Sequence, residues 1–206
     1  MRKFLTCFFT ALLAAAAFAQ TPDEIVARMD RETERFDQEG CSLIMDVKIP
    51  ILGTFSTKMY VLGEKTKGIV SVKGVQIINW SDHATDWTYD SSKNEVTIKN
   101  AKPSGTPDAE NLNMLDGVTD GYDVKLKKED DQAWYFRCTR MKSNPNKDDP
   151  KAIDLVVSKS TYLPVSVKAS EKGVTIVMRD FAVGVTEKDV TFDAADFPDA
   201  KIMDQR

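Results

Sequence analysis

Ser81, Asp82 and His83 stand side by side in the stretch WSDHATDWTYD (Trp80–Asp90), and His83 is the only histidine of the chain. Serine, histidine and aspartate are the parts of a hydrolytic triad, in which the imidazole takes the serine proton and the carboxylate orients the imidazole. That chemistry needs the three side chains to converge in space beside an oxyanion hole, which sequence neighbours rarely achieve. No Gly-x-Ser-x-Gly elbow occurs in the sequence. Asp, His, Ala and Thr between two strand-like segments are good loop residues. The stretch therefore reads as a hairpin turn, and the chain is expected not to be an enzyme.

Metal chemistry is no better supplied. One histidine and two distant cysteines, Cys41 and Cys138, do not make a zinc site. Asp90-Ser-Ser-Lys-Asn94 lacks the alternating ligands and central glycine of a calcium loop. Asn146-Lys-Asp-Asp149 reads as a solvated loop, and no phosphate-cradling glycine loop is present. No metal and no cofactor is implied. Cys41 and Cys138 fit either one disulfide of an exported protein or two separate buried thiols. Glu32 is the odd carboxylate, set in the apolar stripe of the first helix. It either reaches solvent at the helix edge or makes a polar contact at the mouth of a cavity.

The first 19 residues read as a secretory signal. Arg2 and Lys3 precede an apolar run from Phe4 to Phe18, and Ala17-Phe18-Ala19 fits a small-x-small cleavage site, so cleavage is expected after Ala19 and the periplasm is the expected compartment. Cys7 lies near the start of the run, not at its end, which argues against a lipid anchor. Removing residues 1–19 from the 206 leaves 187, enough for a single domain with a real core. Losing Arg2 and Lys3 takes the formal net charge from −4 to −6. An acidic chain without basic clusters argues against nucleic acid as a partner and against membrane docking by charge alone.

The mature part opens on a helix. Thr21-Pro-Asp-Glu24 is a capping box with proline at the first helical position; Ile25, Met29 and Phe36 form an apolar stripe, and Gly40 ends the helix. Strands follow. Cys41, Leu43, Met45, Val47 and Ile49 alternate with polar or outward positions, Pro50–Gly53 turns the chain, and Phe55, Thr57, Met59 and Val61 alternate in the same way. Gly63–Gly68 reads as a turn region, followed by strands at Ile69–Lys73, Val75–Trp80, Asp86–Asp90 and Glu95–Lys99. Thr106-Pro-Asp108 repeats the helix opening, and Leu112 and Leu115 share a face before Gly117, which predicts a second, shorter helix. Strands resume at Gly121–Lys127, Ala133–Met141, Ala152–Ser158, Pro164–Lys168 and Val174–Phe181. Ten or eleven short strands in one sheet should curl. The fold class expected is mainly β (α+β): a curved antiparallel sheet forming an unclosed half-barrel, its concave face covered by two or three helices.

What remains for function is apolar and aromatic. Trp80, Trp87, Tyr89, Trp134 and Phe136 stand on strands with period-two spacing, and methionine with large aromatics makes an adaptable surface for flexible apolar ligands. From composition alone, a closed and fully packed core is the competing reading.

Several segments, in order, resemble one family. Ser81-Asp82 with Asp86-Trp87-Thr88-Tyr89-Asp90 is similar to the Ser-Asp-Gly-x-x-Leu-Trp-x-Tyr-Asp-Pro segment of the periplasmic outer-membrane lipoprotein carriers, the LolA family. Tyr162-Leu163-Pro164-Val165, Gly173 through Arg179-Asp180-Phe181, then Phe192, Phe197-Pro198 and Lys201-Ile202-Met203-Asp204 resemble its later segments. The resemblance implies an unclosed antiparallel barrel lidded by helices, with a hydrophobic cavity for lipoprotein acyl chains, an inner-membrane donor and an outer-membrane acceptor. One position departs: Tyr60-Val61-Leu62-Gly63-Glu64 holds neither the arginine nor the proline that latches the lid in that family. The latch is not carried over.

A monomeric periplasmic carrier of lipid or lipoprotein acyl chains is therefore expected, with Ile25, Met29, Phe36, Leu43, Met45, Phe55, Met59, Trp87, Tyr89, Leu112, Leu115, Trp134 and Phe136 lining the cavity or its lid. The alternative is an envelope interaction or assembly protein of the same fold with a self-filled core.

Overall fold

The structure, a computed structural model, describes residues 20–101, 115 and 117–206. The expected signal peptide, Leu112 and most of the expected second helix lie outside the described residues. Thr21 caps helix α1 (Pro22–Thr33): its Oγ1 accepts the Glu24 amide at 3.3 Å, and the Glu24 carboxylate accepts the Thr21 amide at 2.8 Å. The single helix expected up to Gly40 is instead two, α1 and a short α2 (Arg35–Glu39). Thr33 lies at the break, and its hydroxyl donates to the Asp30 carbonyl at 2.8 Å, a local bond that competes with the helical ladder. Gly40 then turns the chain at φ +69°. A Cβ there would meet the Val61 carbonyl oxygen at 2.7 Å and Val185 Cβ at 2.9 Å, so this junction requires glycine.

Two meanders follow. The first is β1 (Cys41–Ile49), β2 (Gly53–Leu62), β3 (Lys65–Val72), β4 (Val75–Ser81), β5 (Thr85–Asp90) and β6 (Glu95–Asn100). The second is β7 (Tyr122–Glu129), β8 (Ala133–Arg140), β9 (Ala152–Ser158), β10 (Pro164–Glu171) and β11 (Val174–Val183). Pairing of β1 with β11 joins them into one sheet, and a last strand, β12 (Lys201–Asp204), adds in parallel to β6. The order β12-β6-β5-β4-β3-β2-β1-β11-β10-β9-β8-β7 has free edges at β12 and β7, so the barrel is unclosed. Strand β3 starts at Lys65, inside the expected turn region, because Lys65–Thr66–Lys67 pair with Leu62–Val61–Tyr60 across a tight turn at Gly63 and Glu64.

Register assigns each strand's faces, since paired residues point the same way. On the inner face, Leu43 stands beside Met59, Cys41 beside Val61, Trp134 beside Val157, and Phe136 beside Leu155. Helices α1 and α2 lie on this face: Ile25, Met29 and Phe36 belong to one buried cluster with Leu43, Leu115, Trp134 and Phe136. Past β3 the apolar phase reverses. Trp80, Trp87 and Tyr89 point outward, and after β11 the chain passes to that outer face. There Phe192 stacks on Trp87 (5.9 Å) and meets Trp80 edge-on (5.4 Å), and Phe197 lies 4.5 Å from Tyr89. The molecule thus has two cores on opposite faces of one sheet.

Candidate functional site

The stretch that suggested catalysis is the β4–β5 turn. Asp82 Oδ1 accepts the amides of Ala84 (3.0 Å) and Thr85 (2.7 Å), Ser81 Oγ accepts the His83 amide at 3.4 Å, and His83 takes φ +67°. Asp82 and Ser81 oxygens therefore hold the turn. In the 142–149 loop, Lys147 donates to the carbonyls of Lys142 and Asn144, and Arg140 to those of Lys147 and Asp149, so protein cations occupy the loop's oxygens. Among the described residues no group of three or more His, Cys, Asp or Glu is placed to hold a metal.

Cys41 on β1 and Cys138 on β8 are both buried and free. Strands β11, β10 and β9 lie between them in the sheet, and the two thiols are unbridged. Burial, helped by Asp37 at Cys41 and by Asp154 at Cys138, pushes each thiol up to about 11. Neither is a thiolate nucleophile at neutral pH. Glu32 lies at the helix edge, half-exposed, 3.9 Å from Arg35.

The inner face itself is built in transverse rows across β11, β1, β2, β3 and β4. The row next to Gly40 is Val183, Cys41, Val61, Thr66 and Ser81. Leu43, Met59, Gly68 and Asn79 follow, then Met178, Met45, Thr57, Val70 and Ile77, then Ile176, Val47 and Phe55. Cys41, Val61 and Leu43 are buried beneath the helices, with Phe36 of α2 stacked on Phe181 at 6.3 Å. Toward β8 the same face is filled by Trp134, Phe136, Leu155 and Val157, and Trp134 meets Tyr162 at 5.2 Å with Arg28 of α1 lying 3.8 Å over that tyrosine ring.

Two rows further from Gly40 the character changes while the chemistry stays apolar. Met45, Met178, Val70, Ile77, Val47 and Phe55 are only half-buried, and Ile176 is 39 % exposed. On β3, β4 and β5 the two rows nearest Gly40 border a groove of about 380 Å³ of mixed polar and apolar lining, formed by Met59, Thr66, Lys67, Gly68, Asn79, Trp80, Ser81, Asp86, Trp87 and Thr88, where Thr88 Oγ1 bonds Asn79 Oδ1 at 2.9 Å. The face thus offers a filled apolar part, a half-open apolar part holding Met45 and Met178, and a groove of mixed lining.

Of the residues expected to line a cavity or lid, Ile25, Met29, Phe36, Leu43, Leu115, Trp134 and Phe136 come together in the filled part. Met45 and Met59 pack against its margin, and Phe55 is half-buried on the same face beyond it. Trp87 and Tyr89 do not join them. Alternation on β5 turns Asp86 and Thr88 inward, so the two aromatic rings face the opposite side and pack on Phe192 and Phe197. Val47, already on the alternating face of β1, and Val70, Ile77, Ile176 and Met178 were not among the expected lining residues. The alternation Val174, Ile176, Met178 marks a strand face, but only the β1–β11 pairing shows which face.

No protein-family model and no curated protein matches the chain. Solved structures to which it is similar include an uncharacterized conserved protein from Thermus thermophilus (14 % identity, TM-score 0.46, 90 % of this chain and 100 % of that one). The MucA/MucB complex of Pseudomonas aeruginosa gives 12 % identity and a TM-score of 0.46 over 84 % of this chain and 61 % of that one. A LolA superfamily protein from Nitrosomonas europaea gives 13 % identity and a TM-score of 0.31 over 85 % and 99 %.

Proposed function

We propose that the protein is an exported, periplasmic binding protein that shelters an acyl chain of a lipid or lipoprotein on the half-open rows of its inner face, without making or breaking bonds. The observation that supports this best is the step in burial along that face. On β1 and β2 the positions nearest the helices, Cys41, Leu43 and Val61, are dry and filled, whereas the equally apolar Met45, Met178, Val47, Phe55 and Ile176 stay partly open among the described residues. Apolar surface left open on the covered face of a sheet has a solvation cost of about 25 cal/mol per Å², which an acyl chain removes at about 0.8 kcal/mol per CH₂. Unbranched methionines adapt to a flexible chain. The sequence resemblance to the lipoprotein carriers agrees with this reading.

Native mass spectrometry and lipid extraction of the exported protein, with fluorescent fatty-acid titration, test it. A bound acyl species, and titration weakened by Met45→Asp, are expected; absence of any acyl ligand by all three methods would refute it. A second reading, an interaction or assembly protein with a self-filled core, is favoured by the complete burial of the α1 stripe. It predicts no lipid and a stable protein partner.

A further inference from the structure

The end of the sheet away from Gly40 collects exposed hydrophobic side chains. Ile49 pairs with Gly53, leaving Pro50-Ile51-Leu52 as the β1–β2 turn; Ile51 is fully exposed and Leu52 is 67 % exposed. Ile51 is a β-branched residue held at φ +71°, a conformation that favours glycine or asparagine. The neighbouring turns lie on the same rim. Val72, 39 % exposed, begins the β3–β4 turn, and in the β10–β11 turn a Cβ on Gly173 would touch Pro50 Cγ at 3.3 Å. Lys48, Lys73 and Lys172 are exposed at these turns, and none is in an ion pair among the described residues; Glu171 lies in the β10–β11 turn, and Asp90 of the adjoining β5–β6 turn is paired with Lys93. Unpaired cations around an apolar apex stand out on a chain with a formal net charge of −4.

We propose that this rim docks on a lipid bilayer carrying anionic phospholipids: Ile51 and Leu52 enter the headgroup–acyl boundary while Lys48, Lys73 and Lys172 meet headgroup phosphates. Single exposed hydrophobics are ordinary surface. Two adjacent ones at the apex of a turn, collared by free lysines, match an interface that is apolar inside and anionic outside. A turn of three residues reaches only that boundary, where water still satisfies its backbone groups. The net negative charge repels the rest of the molecule from such a surface, so contact is made tip-first. In that pose the half-open rows containing Val47, Phe55 and Ile176 lead directly from the membrane surface toward α1. The inference stands on the rim alone and does not require the proposed ligand.

Cosedimentation of the mature chain with phosphatidylcholine vesicles, with and without phosphatidylglycerol, tests it. Binding to the anionic vesicles is expected, weakened by salt. Each Lys→Gln change at the three lysines should lower it about five-fold. The double variant Ile51→Ser/Leu52→Ser should lower it about tenfold or more with an unchanged urea midpoint. Tryptophan emission of Leu52→Trp should be quenched by brominated acyl chains. No vesicle binding, binding indifferent to the double variant, or an unquenched Trp at the tip would each overturn the proposal. Titration with soluble fatty acid in the same variants reads the inner face separately.

Discussion

Met29→Ala separates the two roles that a helix on this sheet can have. Met29 is 0 % exposed, in the cluster that also holds Leu43, Trp134 and Phe136. Truncating a fully buried methionine removes its transfer free energy and leaves a cavity, about 2–5 kcal/mol in all. With a urea slope of about 2 kcal/mol/M for a domain of this size, the midpoint should fall by roughly 1–2.5 M. Met45→Ala is the control. Its side chain is half-buried at the margin, so its stability cost should be about 1 kcal/mol, with fatty-acid binding weakened roughly five-fold. Urea unfolding by circular dichroism and fluorescent fatty-acid titration on both variants give the four numbers. A filled core under α1 is refuted if Met29→Ala leaves the midpoint within about 0.3 M of the parent while abolishing ligand binding. That result would make α1 a mobile lid over the ligand rather than part of a filled core.

Gly40→Ala forces a Cβ to 2.7 Å from the Val61 carbonyl oxygen at φ +69° and should destabilise by more than about 2 kcal/mol, read as a fall in melting temperature. Arg179 and Ser56 bond Asp46 and hold its carboxyl below the ordinary 3.8, the arginine contributing most. This contribution is present above the ordinary value and is lost as pH falls below it, so Arg179→Met should flatten the acid limb of the stability–pH curve. Both thiols should resist a disulfide-exchange reagent in the native state at pH 8, and both should react after unfolding. A reductant should leave the melting temperature unchanged.

Local features were legible because local chemistry decides them. The Thr21–Glu24 capping box, the hairpin at Asp82–Ala84 and the alternation of β1 and β2 all follow from residues within a few positions of each other. The relative phase of distant strands was not. Trp134 and Trp87 each sit on a strand with alternating apolar residues, yet one faces α1 and the other faces Phe192. Nothing in the period of either strand distinguishes the two, because a chain segment arriving from elsewhere decides which face is dry. The same holds for Met178, whose place beside Met45 depends on a pairing between the first strand of the first meander and the last strand of the second. The helix break at Thr33 was hidden for a different reason: the apolar stripe continues through it to Phe36, and a hydroxyl turned back on a carbonyl leaves that stripe intact.

The crossing of the chain to the outer face has a consequence for the order in which the molecule is made. Trp80, Trp87 and Tyr89 exist as a ribbon of aromatic rings long before Phe192 and Phe197 are synthesised to cover them. Strand β1 likewise waits for β11; Asp46 and Arg179, which bond across that seam, are 133 residues apart. The first meander is thus a nascent sheet with one sticky face and two open edges, β1 and β6, and closing it is a late, long-range event of the kind that slows folding and exposes chains to aggregation. Strand β12, zipped onto β6, closes the second of those edges.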